Sequence, residues 1–556
     1  MSASMRNHGR FHGSSMGYVL GLWLLLIGPG LANGQEPKKE VQDPNKEWVG
    51  KKVIQKKLDF TLQVEKRRVG RPGEVEFYLV DKVEGPWLWL KHESLPLAGW
   101  AGAADVVPLD DAIDSFTEAL RVKPNDADSL VLRGVVWLFE KNEADIAMAD
   151  FDEAIKADPT KAWSHVWRGR AWEIKNDLDK AIADYGEAIK LDPGNDYALA
   201  QRGFCWISKK DYDKAIADYN TAIRLNPKVA TTWHNRGTAW FNKKDFNKAV
   251  ADNTQAIRIN PKYNNAYYNR GTAYAQLRDW DKAIASYNEA IRLDSKFTVA
   301  YESRGDALYQ KDEWDKAIAD FDQVIKLAPN YSAGFNRRAT AWIAKGEPDK
   351  AIADYNKAIA LQPTNAQYYA NRGVAWRDKQ EFEKALVDAN ESVRLAPKDS
   401  VTLRDRAFIK MLARRNDAID DFKGVLELEA WKGANSALSV VLGNLAARQA
   451  GKDDEAKKLL EDAAIKCDRN DWRYSIVKYL RGEIDEAALL AVAQNDAVTA
   501  EIRSCIGIDL ALKKRKDEAL AHLRWVRDHG AKFLFLVKVA VAELEKLEKS
   551  PGDKKP

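Results

Sequence analysis

Metal binding or covalent chemistry would draw first on seven histidines and three cysteines among the 556 residues. They are poorly placed for it. His8 and His12 fall in an N-terminal stretch that reads as a targeting segment. His522 and His529 are seven apart and share a helical face, but no third ligand accompanies them. Three cysteines do not make a disulfide framework; a Cys467–Cys505 bridge stays open, and Cys205 sits where equivalent segments carry alanine, as a buried filler would. The sequence holds no glycine-rich phosphate loop, nucleophile elbow or CxxC pair. These features imply a non-enzymatic chain without cofactor or metal. Its 87 basic and 83 acidic residues are interleaved, for a formal charge of +4, which argues against a nucleic-acid partner.

What recurs is a set of polar rows. Arg133, Arg168, Arg202, Arg236, Arg270, Arg304, Arg338, Arg372 and Arg406 each precede a small residue. Asp150, Asp184, Asp218, Asp252, Asp320, Asp354 and Asp388 recur with them. Guanidinium groups alone would suit an anionic ligand. Two rows running together favour Arg–Asp pairs that stitch helices, because the planar fork matches a partly desolvated carboxylate. Ser286 interrupts the Asp row opposite an intact Arg row, so pairing is not obligatory. A third row, Gln201, Asn235, Asn269, Ser303 and Asn371, lies two residues before the small position, and Phe204, Thr238 and Thr272 lie one after it. Amides both donate and accept, so such a row can pair with an extended peptide backbone whatever its sequence. Trp163, Trp167 and Tyr197 on the same side would supply apolar anchors.

The rows exist because the chain repeats. Pro159, Pro193, Pro227, Pro261, Ser295, Pro329, Pro363 and Pro397 are each 34 residues apart. A fixed period of that length marks a solenoid, whose units bury their apolar faces only against neighbours. Each unit reads as two helices closed by proline, which lacks a donor and bars helical geometry before it. The second helix is nearly copied, as in DKAIADYGEAIKLDP (179–193) and DKAIADYNKAIALQP (349–363). Gly169, Gly203, Gly237, Gly271 and Gly305 hold the small position, and Trp172, Trp206, Trp240 and Tyr274 follow three residues on. In this the chain resembles the tetratricopeptide repeat (TPR) family. The resemblance implies a mainly α protein: a right-handed solenoid superhelix whose first helices line a concave groove, binding a protein or peptide. The regular array spans 109–397, degenerate units and a capping helix span 398–548, and a charged tail spans 549–556. Asn253 and Ala389 replace the second-helix aromatic and are expected to loosen packing locally.

The N-terminal part reads differently. Residues 1–34 carry Arg6, Arg10, an apolar run from Gly17 to Gly28 and a small-residue cleavage site, as a signal peptide does. The expectation is an exported protein, periplasmic or secreted, touching a membrane only if that segment stays uncleaved. A polar leader covers 35–46. Short strand-like runs at 47–108, among them Val75–Val83 and Trp87–Leu90 around a Gly85–Pro86 turn, resemble a bacterial SH3-like β-barrel. That resemblance adds a second candidate partner, peptidoglycan, with Trp87, Trp89 and Trp100 as the aromatics to watch. The alternative role is then a cell-wall module with the array as spacer.

Overall fold

The computed structural model describes residues 46–549, apart from 65–66, 70–74, 76, 93–97, 434 and 532–533. The signal peptide, the leader up to residue 45 and the tail beyond 549 lie outside the described residues. The N-terminal strands are β1 (Lys52–Gln55), β2 (Leu62–Val64), β3 (Arg67–Val69), β4 (Phe77–Glu84), β5 (Trp87–His92), β6 (Ala98–Gly102) and β7 (Val106–Pro108). They form one antiparallel sheet in the order β3-β2-β6-β5-β4-β1-β7. Gly85 takes φ +57° in the β4–β5 turn, where the missing side chain removes the penalty. Alternation along β5 sends Leu88 and Leu90 inward and Trp87 and Trp89 to the other face. Among the described residues the outer strands β3 and β7 share no ladder, so closure into the expected barrel is not seen.

Helix α1 (Ala112–Val122) stands alone after the sheet. Helix pairs follow: α2 (Ala127–Phe139) with α3 (Ala144–Ala157), α4 (Ala162–Ile174) with α5 (Leu178–Leu191), α6 (Asp196–Ser208) with α7 (Tyr212–Leu225), and α8 (Ala230–Asn242) with α9 (Phe246–Ile259). Next come α10 (Asn264–Gln276) and α11 (Trp280–Leu293), α12 (Thr298–Gln310) and α13 (Trp314–Leu327), α14 (Ser332–Lys345) and α15 (Pro348–Leu361), and α16 (Ala366–Asp378) and α17 (Phe382–Leu395). The less regular end comprises α18 (Ser400–Leu412), α19 (Ala418–Leu428), α20 (Ser436–Gln449), α21 (Asp453–Lys466), the short α22 (Tyr474–Leu480) and α23 (Glu486–Leu490), α24 (Asp496–Leu512), α25 (Lys516–His529) and α26 (Phe535–Lys549). The chain divides within α10 into two compact units, Met1–Asn269 and Arg270–Pro556.

Within a pair, the small position lets two helices approach over an aromatic ring. A Cβ on Gly203 would stand 3.0 Å from Tyr219, and one on Gly305 would stand 2.7 Å from Phe321. Between the helices of a pair the backbone turns left-handed at Asn176, Lys210, Lys244, Arg278, Asp312 and Gln380, with Gly346 in the same slot. Asp177, Asp211, Asp245 and Asp279 then cap the second helix by accepting an N–H three residues on. Asn253 does not loosen its repeat: it is 1% exposed and meets His234 Nδ1 at 3.0 Å while donating to the Ala249 carbonyl. Ala389 is also buried, and the three atoms nearest a Cβ on Gly373, the small position facing it, are Ala385 O, Asp388 Cβ and Ala389 N, none of a ring.

The two charged rows pair. Arg202 reaches Asp218 through Nε and Nη2 at 2.8 and 2.7 Å, and Arg304 reaches Asp320 at 2.8 and 2.6 Å. Many of these guanidinium groups also bridge to the preceding pair, as Arg168 does to Asp152, Arg236 to Asn220, Arg304 to Asn288 and Arg372 to Asn356. One arginine thus ties three helices. Opposite Ser286, Arg270 keeps a weaker contact, Nε to Oγ at 3.2 Å. Lysines add a further row: Lys180, Lys214 and Lys248 lie 4.1–4.3 Å from the rings of Trp172, Trp206 and Trp240.

Ile54, Leu58, Val75 and Val107 of the sheet region share one core with Ala112 and Phe116 of α1 and with Val131 and Val135 of α2. In the second unit one continuous core runs from Ala407 on α18 to Leu544 on α26.

Candidate binding face

Successive first helices touch one another within each unit, α2 with α4, α6 with α8, α12 with α14, and α14 with α16. They therefore form a layer of their own, and the residues flanking the small position project from it. The expected site residues divide between the units. Trp163, Trp167, Tyr197, Gln201, Phe204, Asn235, Thr238 and Asn269 belong to the first, and Thr272, Ser303 and Asn371 to the second.

In the first unit the aromatic residues do come together. Trp163, Trp167 and Tyr197 lie with ring centroids 5.9–6.5 Å apart, and Phe139 joins them edge-on to Trp167 at 5.9 Å. Gln201 Nε2 donates to the Tyr197 hydroxyl at 3.2 Å. Trp167 is 6% exposed and its indole N–H is buried without a partner. Phe139 and Phe204 are each 41% exposed. Sequence reasoning missed Phe139 and Arg170. Phe139 ends its helix outside the quoted rows. Arg170 is committed to Glu173, which also accepts from the Tyr185 hydroxyl at 3.0 Å. Burial pulls the Arg170 pKa down, the Glu173 carboxylate pushes it up, and the net shift is upward. Beyond this cluster the face becomes neutral and polar: Asn269 Nδ2 donates to Thr238 Oγ1 at 3.2 Å. His234, recessed beneath it, has its pKa pushed down to about 4 by burial, against the pull of Asn253.

In the second unit Asn371 donates to Asn336 Oδ1 and accepts from Gln367 Nε2, both at 2.8 Å. Thr272 accepts from the Tyr287 hydroxyl at 3.4 Å. These amides and hydroxyls are therefore tied to neighbours, and a peptide would exchange some of those bonds. The row of expected residues also omitted charge. Arg337 on α14 clamps two carboxylates of α12, Glu302 at 2.6 Å and Asp306 at 2.6 and 2.8 Å. On α18, Asp405 lies near Arg377 and Arg404. Burial lifts both Asp306 and Asp405 to a pKa of about 6.

At its C-terminal end this face is filled by the chain itself. Helix α26 packs on α24, α25 and α18. Its Phe535 meets Phe408 edge-on at 4.6 Å, Lys538 Nζ reaches Asp378 at 3.0 Å, and Glu543 accepts from Arg414 at 2.9 Å.

The groups weighed for chemistry are committed elsewhere. Cys205, Cys467 and Cys505 are buried free thiols, so the bridge left open is not formed; burial pushes Cys205 to about 12 and Cys467 to about 11. His522 faces Glu486 at 3.1 Å while His529 stacks on Trp525, so the two imidazoles do not converge. Among the described residues no group of three or more His, Cys, Asp or Glu gathers as a metal site would. No described helix is long and apolar enough to cross a membrane. On the sheet, Trp89 and Trp100 pair across strands at 5.2 Å and Trp87 beside them is 46% exposed.

Models of the tetratricopeptide repeat match residues 109–162, 162–195, 197–229, 230–263, 265–297 and 299–331, and a TPR-repeat model matches 341–380. It is a tetratricopeptide-repeat protein. The matched stretches hold the small positions described above, with Asn253 and Ser286 as the exceptions to the aromatic and Arg–Asp rows. No curated protein matches the chain. Similar solved structures include "YrrB: a TPR protein with an unusual peptide-binding site", 21% identical, covering 35% of this TPR protein and 97% of that chain at a TM-score of 0.31. A tetratricopeptide repeat protein from Parabacteroides merdae is 20% identical over 44% of this chain and 97% of its own, with a TM-score of 0.36. PilW, described as a type IV pilus biogenesis factor, is 18% identical over 36% and 94%, with a TM-score of 0.34.

Proposed function

We propose that this TPR protein is an exported, non-enzymatic scaffold that binds a protein or extended peptide along its first-helix face. The observation that carries the reading is the aromatic cluster of the exposed Phe139 and the half-buried Trp163 and Tyr197, on a face that also carries the exposed Phe204 and the neutral amides and hydroxyls of Asn235, Thr238 and Asn269. Aromatic anchors supply desolvation energy, and the amides suit a backbone. The Arg row does not compete for the role, since apart from Arg270, which meets Ser286, its charges are spent on Asp. Export rests on the signal-like character of residues 1–34.

The test is capture from envelope extract by the full chain beside Phe204→Ala/Asn235→Ala, with circular dichroism showing both folded. Partners held by the first and lost by the second are expected. Equal capture by both would remove the face from consideration.

A second reading is favoured by Trp87, Trp89 and Trp100 on the outward side of β5 and β6. There the SH3-like sheet would bind peptidoglycan and the array would act as spacer. Because the sheet shares its core with α1 and α2, the appropriate variant is full-length Trp87→Ala/Trp89→Ala. Loss of sedimentation with peptidoglycan would support this reading, and unchanged sedimentation would dismiss it.

A further inference from the structure

The face reading leaves open what a partner segment should carry, and the second unit narrows it. On α12, Glu302 and Asp306 are one helical turn apart and share a single cation, Arg337. On α18, Asp405 makes no hydrogen bond or ion pair among the described residues. The cations beside it are committed: Arg377 to Asp378 at 2.8 and 3.0 Å, and Arg404 to Glu429 at 3.4 Å. Asp306 follows Gly305 as Thr238 follows Gly237. Asp405 precedes Ala407 by two residues, as Asn235 precedes Gly237 and Asn371 precedes Gly373. Both therefore occupy the rows that project from the first helices. Burial is the largest cause of their common lift to about 6, and the Asp306 side chain still keeps 40% of its surface exposed.

We propose that the stretch of the face built by α12, α14, α16 and α18 selects a partner segment bearing lysine or arginine side chains, which pair with Asp306 and Asp405. This rests on the groove reading above. Lys538 of α26 brings an amine onto this stretch, against Asp378, with burial and Arg377 pushing its pKa down. The adjacent Phe535–Phe408 contact shows an aromatic entering with it. An acidic segment would meet the opposite situation, with Arg337, Arg377 and Arg404 each occupied and two carboxylates repelling it.

The full chain is probed on an array of random dodecapeptides at low ionic strength, beside Asp306→Asn/Asp405→Asn. We expect captured peptides to be enriched about threefold in Lys and Arg, and the double variant to lose at least half of that enrichment while still capturing peptides. Asp405→Asn alone, which removes no hydrogen bond, gives the same readout if the double variant does not fold. Captured peptides without a basic bias, or rich in Asp and Glu, overturn the inference and leave peptide binding standing. No capture by the unaltered chain, or capture indifferent to Phe204→Ala/Asn235→Ala, overturns the groove reading itself.

Discussion

Within the second unit the same building block meets two fates. From α12 to α17 the helix pairs close over Phe321, Tyr355 and, in the last, Ala389; a bidentate Arg–Asp contact ties the two helices of each pair, and the same guanidinium reaches the preceding pair. From α18 onward the ladder stops after Arg406–Asp421, the pairs shorten at α22 and α23, and α26 folds back to make one extended core. Repetition leaves a face open because no unit reaches past the next. Loss of repetition lets the chain fold on itself and fill that face.

The comparison can be broken most severely at Phe408, which is fully buried between Phe535 and Arg377. Phe408→Ala is expected to cost the C-terminal core about 4 kcal/mol. In urea it should unfold first while the regular pairs hold; a single transition shifted as a whole would show that the two regions are one cooperative body.

Arg304→Ala should cost the regular array about 3 kcal/mol, since it strands Asp320, whose side chain is 7% exposed. A loss under about 1 kcal/mol would mean that the ladder is ornamental to stability.

The third expectation concerns pH. The imidazole of His234 has a folded pKa of about 4, below its ordinary 6.5, so its stabilisation is complete above pH 6.5 and is lost as pH falls toward 4. Unfolding free energies at pH 7 and 4.5 should differ by about 2 kcal/mol more in the natural protein than in His234→Gln. Equal differences would mean that the ring is not held neutral.

Completing the interrupted row with Ser286→Asp should add about 1 kcal/mol through a bidentate contact to Arg270. No gain would show that Arg270 is already satisfied. The smallest effect is expected from Lys244→Gly, where φ is +65°. Relief of left-handed strain should raise stability by about 0.5 kcal/mol, net of the added freedom of the unfolded chain.

Much of the architecture was legible because a period of 34 exposes its own rules. The Arg and Asp rows could be paired from register alone, and the strand–turn–strand at Gly85 followed from residue type. What escaped depended on contacts that no local pattern announces. Asn253 seemed a packing defect until His234, nineteen residues earlier, supplied its partner. Asn371 read as a free amide, yet Asn336 and Gln367 hold both its ends. The seat of α26 against Asp378 at the end of α16 and Arg414 just beyond α18 joins residues 160 and 129 positions apart and has no sequence signature.

The half-repeat at α1 gives the N-terminal sheet a job of its own. A stack of helix pairs has two raw ends, and a raw end invites another stack to add to it. At this end Ile54 and Val107 lie over Phe116 where a preceding first helix would otherwise sit. The sheet is thus a terminator for the polymer that the repeats would otherwise resemble. Paring it away should bare that core at one end, where two molecules would then pair.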